Sequence, residues 1–110
     1  MCAKISTHTN FVMEISLLQE ITVRIIREQE LVIGPLAWIE AAKVPGLNII
    51  DKRAGAIIFL SGTDPNIAID KLVAQYEKLF GRASHEVSRD AVKSLLANVP
   101  IAEIPSSLRP

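Results

Sequence analysis

The chain has one cysteine, Cys2, so no disulfide can close within it. A lone thiol fits a reducing compartment. Neither charge is in excess: 12 Lys and Arg balance 12 Asp and Glu, giving a formal net charge of zero. Nonspecific binding to nucleic acid or to an anionic membrane wants a strong basic surplus, so this balance disfavours both partners. Long apolar runs are missing as well. One of the longest, Ala56 to Leu60, is far below the ~20 residues that span a bilayer, and Met1 to Asn10 contains no signal-peptide core. These absences predict a soluble, cytoplasmic protein. Aromatic residues are scarce, at 5% of a chain that is 49% hydrophobic, so the apolar mass is aliphatic.

What is present is too much aliphatic side chain for a body of 110 residues. A chain this short buries only about two-thirds of the surface that its unfolded form exposes. Part of the oily surface is therefore expected to be covered by a second copy, and homodimerisation is the default reading.

Two stretches echo each other: Glu30-Leu-Val-Ile-Gly34-Pro-Leu-Ala37 and Glu77-Lys-Leu-Phe-Gly81-Arg-Ala83. Each has a glutamate, apolar residues, a glycine, and an alanine that opens a second helical segment. The first helix is predicted from an N-cap at Thr9 or Asn10 to about Gln29. Phe11, Ile15, Leu18 and Ile25 recur along it at helical spacing, widened by Leu17, Ile21 and Ile26. Gly34-Pro35 breaks it, and a short helix from Pro35 to about Val44 follows, stopped by Pro45-Gly46. Leu47 to Ile50 and Gly55 to Leu60 are rich in β-branched residues and flank Asp51 to Ala54, which reads as a β-hairpin with a charged tip. The second strand is apolar on both faces and should be covered on both. Asp64-Pro65 starts a third helix, with Ile69, Leu72, Val73, Tyr76, Leu79 and Phe80 at helical spacing, ended by Gly81. A fourth is predicted from about Ala83 to Ala97, with Val87, Ala91 and Leu95 inward. Pro100, Pro105 and Pro110 make the remainder an extended tail, with Ile101 and Ile104 available to pack on the body.

Residue types that carry chemistry do not converge. Ser84-His85-Glu86 holds a nucleophile type, a base and a carboxylate, but neighbours on a helix point in different directions and make no triad. His85, with Arg89 four residues on, reads as a solvated face. His8 has no partner at metal-ligand spacing. Ser61 to Pro65 falls where phosphate loops sit, yet it has one glycine and no lysine, and Asp64 would repel an anion. Gly34 and Gly81 read as helix caps that let two helices meet at an angle. No catalytic, cofactor-binding or metal residue is assigned, and no cofactor is expected. Lys52-Arg53 at a hairpin tip invites a winged-helix reading, with residues 35–44 as recognition helix, but that helix carries Leu36, Trp38, Ile39, Glu40 and only one cation, Lys43, which is poor material for a major groove.

The stretch Leu31-Val-Ile-Gly34-Pro35-Leu-Ala37, and again Leu72 to Val92, resembles the small helical modules attached to bacterial signalling proteins such as kinases and response regulators. Those carry an apolar-Gly-Pro-x-Ala joint between two helices. The likeness covers about half the chain. Arg82 replaces the proline in the second copy, and the hairpin at 47–60 is not part of the pattern. The resemblance implies a regulatory or protein-interaction role without catalysis.

The expected architecture is α+β in the order α-α-β-β-α-α, with a short antiparallel hairpin packed by helices and completed by dimerisation. Residues 1–9 are read as a flexible leader, 10–98 as one globular domain and 99–110 as an extended tail. The expected function is a non-catalytic regulatory or interaction module of a bacterial signalling system, acting as a homodimer. Its hairpin is expected to pair with that of a second copy in a four-stranded sheet. Ile57, Phe59 and Leu60 are the candidates for self-association, and Trp38 and Tyr76 for a protein partner, since large aromatics anchor interfaces. The alternatives are a small-molecule sensor or enzyme with a pocket between helices and hairpin, and the winged-helix DNA binder.

Overall fold

The computed structural model describes residues 13–110. Four helices and one two-stranded antiparallel hairpin follow one another as expected, α1 (Ile15–Ile33), α2 (Leu36–Ala41), β1 (Leu47–Asp51), β2 (Ala56–Phe59), α3 (Pro65–Phe80) and α4 (Arg82–Val92). The fold class is α+β.

Several boundaries differ from the predictions. Helix α1 begins after Glu14, which has extended backbone, and not at Thr9 or Asn10; those two residues and Phe11 lie outside the described ones. It runs on past Gln29, because nothing stops it before Gly34. Its inner face carries Leu18, Ile21, Thr22, Ile25, Ile26 and Gln29, a helical stripe of period near 3.6 that includes one buried amide. Helix α2 is only six residues and ends before Val44. Helix α3 matches its prediction: the Asp64 carboxylate accepts from the Asn66 N–H at 2.9 Å, with Pro65 at the first position where a missing N–H is harmless. Helix α4 stops at Val92, five residues before Ala97, and gives way to successive turns. The tail is not simply extended. Two 3₁₀ turns, Ile101–Glu103 and Ser106–Leu108, each follow a proline, whose fixed φ suits a turn's start.

The glycine echo is a duplication in space. Gly34 and Gly81 have φ 72° and 87° with ψ −154° and −175°, a region open essentially to glycine alone. Each donates its N–H to the carbonyl of the glutamate four residues back, Glu30 or Glu77, both at 2.8 Å. Each accepts from the third residue on, Ala37 at 3.0 Å and Ser84 at 3.1 Å. The buried positions repeat with the same 47-residue offset: Ile21 and Ala68, Thr22 and Ile69, Ile25 and Leu72, Ile26 and Val73, Gln29 and Tyr76, Ala37 and Ser84, Ala41 and Ser88. Each long helix packs on the short helix of the other unit, α1 on α4 and α3 on α2. The core lies in this four-helix arrangement, and the β-hairpin is an insertion between its halves that leans on α1.

Candidate functional site

The hairpin has one covered and one uncovered apolar face. Its strands pair Leu47 with Phe59, Asn48 with Ile58 and Ile49 with Ile57, then slip so that Asp51 opposes Ala56 and Ile50 is the extra residue of a bulge. Side chains alternate between faces along a strand. Leu47 and Ile57 are buried, with Ile49 and Phe59 half-buried beside them in the core. The Gln19 amide on α1 donates to the Ile57 carbonyl at 3.1 Å, which ties β2 to the helix. The opposite face is left to water: Ile50 is 58% exposed, Ile58 41% and Leu60 46%. The expectation that β2 is covered on both faces therefore fails within one chain.

Of the self-association candidates, Ile57 and Phe59 thus lie on the inner face and Leu60 on the outer. Ile58 and Ile50 join Leu60 there, and sequence reasoning passed over both. The period of two held the signal: Leu60 and Ile58 share a parity that Ile57 and Phe59 do not.

Trp38 and Tyr76 are both buried and present no surface. The Tyr76 hydroxyl donates to the Ala37 carbonyl at 2.6 Å. Burial pushes the phenol's pKa well above its usual range, with the nearby Glu40 and Glu30 carboxylates adding to it. Beside it Glu40, on the buried side of α2, accepts from the Gln75 amide at 2.7 Å and from Lys43 at 3.0 Å. The Gln75 hydrogen bond, then the Lys43 contact, holds the Glu40 carboxyl below the usual carboxylate range. These groups tie α2 to α3. Exposed apolar surface collects instead at the first glycine joint, where Leu31 is 79% and Val32 64% exposed, with Leu36 also uncovered.

An open cleft of about 510 Å³ does lie between α1 and the hairpin, lined by Gln19, Glu20, Arg24, Arg27, Gly55 and Ile57 among others. Its carboxylate, Glu20, pairs with Arg24 at 3.4 Å, and Arg27 donates to the Arg53 carbonyl. Among the described residues no histidine, serine, threonine or cysteine lines it beside that carboxylate. The outer side of α2 and the turn after it show Leu36, Ile39, Ala42 and Lys43, an apolar surface with one cation. Lys52 and Arg53 are exposed at the hairpin tip, where the Asp51 carboxylate accepts the N–H groups of Arg53 and Ala54.

His85 departs from its reading as a solvated face. Arg89 turns away to Glu86 at 3.1 Å, while the imidazole is half-buried between Glu77 on α3 and the Ser107 carbonyl. Among the described residues no group of three or more His, Cys, Asp or Glu side chains comes together as a metal site, and no helix is long and apolar enough to cross a membrane. His8 lies outside the described residues. The chain matches no family model, no curated protein and no solved structure at a significant level.

Proposed function

We propose that the chain is a non-catalytic regulatory or interaction module of a bacterial signalling system, working as a homodimer joined through the outer faces of its hairpins. The observation that carries this reading is the uncovered triplet Ile50, Ile58 and Leu60 on a sheet of only two strands. Two strands make a marginal sheet by themselves. The apolar side chains stand on the face and not along an edge, so two hairpins stacked face to face remove them from water. Edge pairing into a four-stranded sheet would leave them wet. The Gly34-Pro35 joint, with Leu31, Val32 and Leu36 around it, is the surface for a protein partner. It is also the part that carries the likeness to signalling modules.

Sedimentation velocity at micromolar concentration tests the dimer. The wild-type chain sediments as a dimer, and Ile58→Asp gives a folded monomer, because a charge is costly in an apolar contact and harmless in water. A wild-type monomer, or an Ile58→Asp dimer, ends the proposal. Co-purification from native cells tests the second surface: a partner held by the wild type is lost from the Leu31→Asp, Val32→Asp double variant.

A further inference from the structure

We propose that His85 is a proton-operated latch that fastens the C-terminal strap, residues 99–110, across α3 and α4. The inference is independent of dimerisation and of any partner.

The strap is held by a small set of polar contacts over an apolar seat. Ile104, Pro105 and Leu108 are buried. The Asn66 amide donates to the Glu103 carbonyl at 3.2 Å. The Asp70 carboxylate accepts from the Ser106 hydroxyl at 2.9 Å and from the Ser107 N–H at 3.0 Å. These fix the strap to α3. The contact to α4 is His85 alone among the hydrogen bonds: its Nε2 lies 2.6 Å from the Ser107 carbonyl oxygen, and its Nδ1 lies 3.0 Å from a Glu77 carboxylate oxygen.

Both of those partners accept and neither donates. A carbonyl oxygen has no proton to give, and an ionised carboxylate is acceptor only. A neutral imidazole carries one N–H and one lone pair, so it satisfies one side and turns its lone pair on the other. Only the imidazolium donates to both. The doubly bonded geometry is therefore that of the protonated ring; on loss of a proton the one remaining N–H stays with the stronger, charged acceptor, Glu77, and the tie to the strap is the one that breaks.

Charged groups elsewhere on the three elements do not pair with the ring. On α3, Asp70 is taken by the two serines. On α4, Arg89 pairs with Glu86, and Arg82 is exposed at the start of the helix. On the strap, Arg109 donates to the carbonyls of Ile104 and Ala102. Glu77 is thus the carboxylate that faces the imidazole, and its proton-accepting side sets the direction. Acid closes the latch and alkali loosens it.

The test is amide hydrogen exchange over residues 101–109, expressed as protection relative to intrinsic rates at about pH 5.5 and about pH 8, either side of the interval where imidazoles ordinarily change charge. In the wild-type protein, protection in the strap is about tenfold higher at the acid pH, the worth of one charge-assisted hydrogen bond, while α1 to α4 are unchanged. His85→Phe holds the strap at the low, alkaline level at both values. Glu77→Gln is the decisive variant. Its amide can donate to a neutral Nδ1 while Nε2–H still binds Ser107, so the strap stays protected at both values. Equal wild-type protection at the two pH values, a persisting pH dependence in Glu77→Gln, or wild-type behaviour in His85→Phe each overturns the latch.

Discussion

Gln29 and Tyr76 stand at equivalent places in the two halves of the fold, each five residues before the glycine of its own joint. Each donates across the core to the backbone carbonyl of the third residue past the other joint. Gln29 reaches the Ser84 carbonyl at 2.8 Å and Tyr76 the Ala37 carbonyl at 2.6 Å. Two side chains of different chemistry thus close the same reciprocal contact. The contact satisfies a buried carbonyl near a helix start and fixes how the two helix–glycine–helix units dock.

Removing the Tyr76 hydroxyl tests that closure and sets an alkaline limit. Tyr76→Phe should cost about 1–3 kcal/mol, since the Ala37 carbonyl is left buried without its donor. The phenol is held protonated in the folded chain, whereas an unfolded tyrosine ionises near pH 10. Folding stability is therefore full below that value and falls as pH rises through and beyond it. Denaturant melts at a series of alkaline pH values should show the decline in the wild type, and Tyr76→Phe should flatten it.

Ser84 offers the opposite sign. Its hydroxyl oxygen is buried without a hydrogen-bond partner, although its backbone carbonyl is the one that Gln29 uses. The equivalent residue in the first half is alanine, Ala37. Ser84→Ala should raise stability by about 1 kcal/mol, by removing an unsatisfied polar atom and improving helix propensity. A thermal melt that moves downward would show that the hydroxyl has a role in the fold.

The two joints should respond alike to an added Cβ. A methyl group at Gly34 or Gly81 would meet nothing within 4 Å, so any penalty comes from the backbone conformation and not from a clash. Gly34→Ala and Gly81→Ala should each cost about 1–3 kcal/mol, measured by chemical denaturation, with both helices of each unit retained. A cost near zero at one joint and not the other would show that the two are not equivalent.

The two faces of β2 should separate cleanly by mutation. Ile57→Asp buries an unpaired carboxylate against α1 and should unfold the chain, at several kcal/mol. Phe59→Asp, half-buried on the same face, should also lower the melting temperature. Ile58→Asp, one residue away on the wet face, should leave the chain folded, with a lower melting temperature only by what the lost dimer contact contributed. Circular dichroism melts of the three variants decide it.

Sequence alone determined the order of elements, the helix start at Asp64-Pro65, and the two glycines as joints. These are local matters: a side chain capping its own helix, a proline without an N–H, and a backbone that only glycine adopts. It also held the duplication, in an echo that the tertiary pairing of Gln29 with Tyr76 extends along whole helices. The tertiary structure decided which side of β2 faces α1, since alternation gives two faces but not their direction. It also decided that Trp38 and Tyr76 are core, that a polar Gln29 belongs inside, and that the proline-spaced tail folds back onto Asp70 and His85. Those outcomes rest on which helix lies opposite, and contacts between residues 55 or 37 positions apart leave no trace in local propensity.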